Sequence, residues 1–244
     1  MVWMKDRKLV PMAALYILIV SIFLWTAYLG SAVTSAVVQR LPVDRGHIIV
    51  IDAGHGGEDG GATSGTGRPE SVYNLEIALK LNDLLHLLGY RTKMIRIRDE
   101  SVYQAGHTIA EKKVSDLKER VRMVNETDDA ILVSIHQNMF SDCRYHGAQV
   151  FYGPKGESKA LAEVLQISFC QLLNPGSSRK IKKADGIYLM QQIKCTGVLV
   201  ECGFLSNPEE ESKLRTREYQ QKLSCVIAGT LSQFLTDEAR ADII

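Results

Sequence analysis

The sequence predicts one α/β domain with a twisted mixed, largely parallel sheet flanked by helices, preceded by an N-terminal hydrophobic helix. Three observations lead there. Short β-branched runs alternate with segments of helical apolar spacing through most of the chain. Several of those runs stop at glycine or at a polar residue, as buried strands do. One uncharged apolar stretch stands apart at the start. The 244 residues suffice for a single domain and a short appendage. With 45% apolar and 23% charged residues, the composition is that of a folded domain and excludes a disordered one. A formal net charge of +1 gives no global field that would draw in nucleic acid.

The first element is the apolar stretch. Residues 9–39 contain no charge, and residues 9–29 are almost wholly apolar. About 20 apolar residues span a bilayer as a helix, and Lys5, Arg7 and Lys8 precede the run with only Asp6 against them. That flank holds the N-terminus in the cytoplasm and places the remainder of the chain outside. A cleaved signal peptide is the competing reading, since Thr34, Ser35 and Ala36 offer the small residues a peptidase prefers. Residues 1–38 are therefore an anchor or a signal, 39–46 a linker with Pro42, 47–238 the working domain and 239–244 a tail.

Strand and helix then alternate. Residues 48–52 form a strand ending in glycines, and 73–88 a helix stopped by Gly89. Residues 91–97 form a second strand, and 114–127 a helix rich in exposed charge. Residues 130–135 and 147–152 are further strands, and 158–173 a helix. A basic turn-rich loop occupies 174–183, a last strand 197–201 and a closing helix 219–235. The five cysteines show no Cys-x-x-Cys spacing, and their odd number leaves at least one unpaired within the chain.

Three strands deliver polar residues to their carboxyl ends, where open α/β sheets bind ligands. They end in Asp52-Ala53-Gly54-His55-Gly56-Gly57, in Ser134-Ile135-His136-Gln137-Asn138 and in Val200-Glu201-Cys202-Gly203. A fourth group, Glu70, precedes the first long helix. Each has an ordinary explanation: a satisfied loop histidine, a tight glycine turn, or a carboxylate near a helix N-terminus. Glu201 resists that treatment, because a carboxylate closing an apolar strand needs a partner when buried. Two imidazoles and a carboxylate are a ligand set for catalytic zinc, and a further carboxylate can carry a proton. Together the four groups could supply metal, nucleophile and proton shuttle for amide hydrolysis. No His-Glu-x-x-His helix is present. Cys202 points away from Glu201 by strand alternation, and Glu76 falls on a helix face expected to be solvated.

The segments IVIDAGHGGEDGGATSG, PESVYNLEIALKLNDLL, ILVSIHQN and GVLVECGFLSNPEEESKL, in this order, resemble the zinc-dependent N-acetylmuramoyl-L-alanine amidases. The resemblance covers residues 48–235. It implies that Zn2+ is held by His55, Glu70 and His136, and that Glu201 is the catalytic carboxylate. Glu58 and Asp59 match the family's glycine-rich loop and not its ligands. The resemblance also implies cleavage of the amide between N-acetylmuramic acid and L-alanine in peptidoglycan. His47, His86, His107 and His146 match no family motif. GAQVFYG and GIYLMQ resemble the sporulation and germination branch, whose members strip stem peptides so that spore cortex muramic-δ-lactam can form. The partners expected are peptidoglycan glycan strands with their stem peptides, the membrane through the N-terminal segment, and an activator protein; no nucleic acid is expected. The rival readings are a vegetative lytic or daughter-cell-separation amidase, a zinc peptidase cutting within the stem peptide, and a non-catalytic wall-binding protein. Loops 139–145 and 174–183 are left without a role.

Overall fold

The computed structural model describes residues 46–241 and, within the N-terminal stretch, positions 16, 18–22, 24–26 and 28, which are helical. Among the described residues no helix is long and apolar enough to cross a membrane. The remainder of segment 1–38, the linker up to residue 45 and residues 242–244 lie outside them.

The elements after the linker come in the order β1 (Ile48–Ala53), α1 (Glu70–Leu87), β2 (Arg91–Met94), α2 (Ile109–Asn125), β3 (Ala130–Asn138) and β4 (Gln149–Tyr152). Next are α3 (Ser158–Leu172), β5 (Lys182–Lys183), α4 (Tyr188–Gln192), β6 (Thr196–Phe204), α5 (Pro208–Leu214) and α6 (Arg217–Ala241). The six strands form one sheet in the order β2-β1-β3-β6-β4-β5. All neighbours run parallel except β4 and β6, which are antiparallel, so the sheet is mixed and mainly parallel. Its central strands are buried on both faces, which is why they read as continuous apolar runs.

Helices cover both faces. One core layer joins Ile49, Val133 and Val200 of the sheet to Ile77 and Leu81 of α1, Leu165 of α3 and Ile227 of α6. The opposite layer joins Val50, Leu132 and Leu199 to Val124 of α2 and to Leu189 and Met190 of α4. The alternation of these strand residues between layers is the period of two expected of β structure. Each fully buried Leu, Ile or Val stabilises the fold by roughly 1.5–3 kcal/mol.

Several boundaries differ from the sequence expectation for physical reasons. α1 begins at Glu70, not near residue 73, because carbonyls of the preceding loop take up its first free amides. Glu70 N–H donates to Ala62 O at 2.8 Å and Ser71 N–H to Gly60 O at 3.0 Å. α2 begins at Ile109 behind a capping box made by Thr108 and Glu111. It is not simply a helix of exposed charge: Glu119 and Arg120 are buried. β2 ends at Met94; Ile95 N–H still bonds Ile51 O at 3.0 Å, after which Arg96 turns inward. β3 and β6 run past their expected ends to Asn138 and Phe204, so that His136, expected just after its strand, lies within it. α6 extends to Ala241, so residues 239–241 are helical. The five cysteines are free thiols.

Candidate active site

The site lies where β1, β3 and β6 reach their carboxyl ends. In the parallel ladders Asp52 pairs with Ser134, and His136 pairs with Glu201. Paired residues share a face, so Asp52, Ser134, His136 and Glu201 all project to the α2 and α4 side. A cavity of about 320 Å3 opens there, lined in part by His55, His136, Glu201, Leu117 and Tyr188.

His55 comes from the turn after β1. Its φ of 61° is unusual for a residue with a side chain, and two buried guanidinium groups hold the turn. Arg96 donates to Ala53 O at 2.8 Å, Gly54 O at 3.0 Å and Ser71 O at 2.8 Å. Arg120 donates to Ala53 O at 3.1 Å and to His55 O at 2.8 Å. Arg120 is itself paired with Asp52 and Asp116, and Ser134 Oγ–H donates to Asp52 Oδ2 at 2.6 Å. Burial alone would raise the Asp52 carboxyl, but the charges of Arg120 and His136 and the Ser134 and Arg120 hydrogen bonds outweigh it and hold it below the usual range.

Glu70 stands between the two imidazoles. Its Oε2 is 3.3 Å from His55 Nε2, and its Oε1 is 2.9 Å from His136 Nδ1. One ligand atom from each of the three residues can be chosen so that all lie within 4.8 Å of one another. The carboxylate is held from several sides. Ala62 N–H donates to Oε2 at 3.1 Å, while Gln137 N–H at 3.1 Å and Asn74 Nδ2 at 3.2 Å donate to Oε1. Burial opposes ionisation of Glu70, yet the imidazoles outweigh it and place its pKa far below the ordinary value. Behind His55, Nδ1 lies 3.0 Å from Asp59 Oδ2, and Lys113 pairs with the other Asp59 oxygen at 2.8 Å. Burial disfavours the His55 cation, but Glu70 and Asp59 lift its pKa to about 9. The site is thus arranged to hold positive charge between its donors.

Glu201 has the opposite environment. Its Oε2 is buried without a hydrogen-bond partner. Burial pushes its pKa up to about 7, helped by the charge of Glu70 and opposed by the two histidines. Cys202 points into the other core layer, away from this group.

Two imidazoles and a carboxylate with convergent donor atoms fit a divalent cation. The carboxylate behind His55 is the usual means of fixing a ligating imidazole. The turn is also shaped around the second histidine: a Cβ at Gly54 would collide with His136 Nε2, and one at Gly61 would stand 2.7 Å from Glu70 Oε2.

The sequence pattern of the N-acetylmuramoyl-L-alanine amidases matches residues 49–233. The chain belongs to that family. The amidase is 35% identical over 195 residues to the germination-specific N-acetylmuramoyl-L-alanine amidase of Bacillus subtilis, covering 79% of this chain and 81% of that one. Among solved structures, it is similar to the CwlD amidase from Clostridioides difficile in complex with the GerS lipoprotein. The identity there is 34% and the TM-score 0.74, with 78% of this chain and 98% of that one covered. An N-acetylmuramoyl-L-alanine amidase from Clostridium difficile 630 is 28% identical with a TM-score of 0.67, over 78% and 97% of the two chains.

The four sequence-predicted residues of the amidase thus fall at one sheet edge, with His55, Glu70 and His136 converging and Glu201 beside His136. The supporting residues are not among those the sequence singles out. Asp59 belongs to the glycine-rich loop, yet its place four residues after His55 is a usable signal. Asn74, one helical turn after Glu70, is another. Arg96 and Arg120 give no signal, because a lone charge on an amphipathic segment reads as solvated. Glu76 is not simply solvated either, since it pairs with Arg68 and accepts from Gln220 Nε2 at 2.6 Å. Arg179, part of the basic loop, donates to His146 O at 2.7 Å and Gln149 Oε1 at 2.9 Å.

These contacts can be tested by substitution. Arg120→Met leaves Asp52 buried without its cation and should cost about 3–5 kcal/mol in urea unfolding at pH 7. The folded pKa of Asp52 is depressed, so its contribution is fully present above the unfolded carboxylate value and drains away as pH falls through the lowered one. The gap between parent and variant should therefore narrow in acid; a pH-independent gap would contradict the assignment. Gly54→Ala should displace the His136 ring and weaken divalent-metal binding by about tenfold or more, with the far-UV circular dichroism unchanged. Unaltered affinity in calorimetric titration would show that the close approach at residue 54 is not needed.

Proposed function

We propose that this amidase hydrolyses the bond between N-acetylmuramic acid and L-alanine with zinc held by His55, Glu70 and His136 and with Glu201 as proton carrier. The observation that carries the reading is the contrast within one site. Two imidazoles converge on an ionised Glu70, while Glu201 keeps a buried carboxylate oxygen without a hydrogen-bond partner.

Zinc, when bound there, supplies Lewis acidity and makes water a nucleophile at neutral pH. The protein's own groups do the rest. Asp59 fixes the His55 ring through Nδ1, which leaves Nε2, on the side of Glu70, as the atom to bind the metal. Asn74 and the Gln137 amide stop Glu70 from rotating. Glu201, paired across the ladder with His136 and with one carboxylate oxygen unpartnered, accepts a proton from the attacking water and returns it to the L-alanine nitrogen as the carbon–nitrogen bond breaks. Glu201 lines the cavity, with one carboxylate oxygen buried behind it.

The name of the Bacillus subtilis relative supports a role in the spore, with stem peptides removed as cortex muramic-δ-lactam forms. Such a role puts the protein outside the cytoplasm, with residues 1–38 as an anchor or a cleaved signal and 47–238 as the catalytic unit. That the CwlD amidase forms a complex with a lipoprotein supports a protein partner for this chain, and the reading gives that partner the part of an activator.

Digestion of purified peptidoglycan with the zinc-loaded chain should release intact stem peptides beginning with L-alanine, identified by mass spectrometry. Chelation should abolish release. Glu201→Gln should retain zinc and lose at least about a hundredfold in turnover. Fragments cut within the peptide, or full activity in Glu201→Gln, would overturn the reading.

A further inference from the structure

The loop after β3 carries an aromatic cluster that the reaction itself does not use. Phe140 and Tyr145 are about half exposed, at 50% and 47%. Their rings meet edge to face with centroids 4.9 Å apart, and Tyr145 stacks at a shallow angle on Phe204 at 6.2 Å. The Arg179 guanidinium sits 4.6 Å from the centre of the Phe204 ring. Two further contacts fix the loop: Phe140 N–H donates to Ser206 Oγ at 3.2 Å, and Asn207 Nδ2 donates to Tyr145 O at 3.3 Å.

This cluster follows the active site along the same strands. Gln149 is the direct cross-strand partner of Glu201 in the β4–β6 ladder and so lies on the same face. Gln149 holds Arg179, which covers Phe204. Along β3 and β6 the register shifts between the His136–Glu201 and Asn138–Phe204 pairs. Such an irregularity beside a site re-aims the next residues of the strand. Phe204 is three residues beyond Glu201, roughly 10 Å along the strand, and Tyr145 and Phe140 continue outward from it.

We propose that Phe140 and Tyr145 form a stacking platform for the glycan strand, holding N-acetylhexosamine rings next to the muramic acid whose amide is cut. The inference rests on the amidase reading, and the substrate's chemistry directs it. The scissile amide joins the peptide to the sugar through a single lactyl group, so the glycan must pass close to the site on its way out. A sugar ring has an apolar face of C–H bonds and a polar edge. The loop offers the complement, with exposed aromatic faces set among Asp142, Arg144 and His146. Rigid aromatic rings give contact area with little loss of conformational freedom.

The test is binding of peptide-free glycan strands, which lack the scissile bond, to the full chain by calorimetry. Phe140→Ala and Tyr145→Ala should each weaken binding roughly three- to tenfold. Tyr145→Phe should bind like the parent, whereas Tyr145→Leu should be as weak as alanine, since a merely apolar cover would tolerate leucine. Metal affinity serves as the control for folding. Unchanged affinity in both alanine variants, full affinity in Tyr145→Leu, or no binding by the parent would each overturn the platform. A shift in oligomeric state with glycan affinity unchanged would overturn it too, giving the rings to a second copy. A parent that binds these strands yet releases no stem peptide from peptidoglycan would sink the amidase reading and leave the platform standing.

Discussion

The site depends on two buried guanidinium groups closing on one backbone turn. Arg96 and Arg120 together donate hydrogen bonds to the carbonyls of Ala53, Gly54 and His55. Of these carbonyls, that of Gly54 also accepts from Asn74 Nδ2 at 3.1 Å, while those of Ala53 and His55 rely on the arginine side chains where β1 leaves the sheet. The clamp lets His55 occupy a left-handed conformation that its side chain makes costly. Two like charges so close to each other are tolerated because Asp52 and Asp116 sit against Arg120. Burial lowers the Arg96 pKa to about 10, with the Arg120 charge acting in the same direction, so Arg96 remains a cation at neutral pH. An ion cluster of this kind adds little net stability, but it is expensive to break and it fixes geometry.

The clamp links the fold to the chemistry through α2 and α1. Arg120 and Asp116 come from α2, and the same helix sends Lys113 to Asp59, which stands behind His55. Arg96 bonds Ser71 O in the first turn of α1, one residue after Glu70. The imidazole, the carboxylate beside it and the carboxylate behind it are therefore referred to the same two arginines. His136 needs no such arrangement. It extends from β3, paired with Glu201 of β6, one residue after the ladder to β1 ends at Ile135.

This division explains which parts of the molecule are legible in the sequence. The long strands and helices are, because alternation and helical spacing are local. His55, His136 and Glu201 are also visible, because each ends a buried run in a way that an apolar strand does not need. Glu70 is recognisable as a ligand only through family resemblance, since a glutamate beside a helix start has an ordinary electrostatic reason to be there. The arginine clamp is hidden, because its meaning lies in contacts to the β1 turn between residues 42 to 68 positions apart. α5 is a different case. Asn207 caps it from 3.0 Å and Pro208 opens it, a start signal present in the sequence. The two-residue β5 and five-residue α4 carry no such signal and owe their form to the sheet they pack on.

The two glutamates of the site supply the last step. Their side chains are chemically identical, yet their environments drive them apart. Glu70 receives three N–H donors and two imidazoles and stays ionised. Glu201 receives none on its inner oxygen, and burial raises it to about 7. These are the contrasting environments that the proposed roles call for, a lasting charge to hold a cation and a carboxyl able to carry protons. The separation of roles comes from position. Glu70 reaches the site from a helix start, where loop and strand amides converge, whereas Glu201 emerges from a central strand whose own amides are spent on the ladder. Exchanging the two environments would require moving the backbone donors, not the carboxylates.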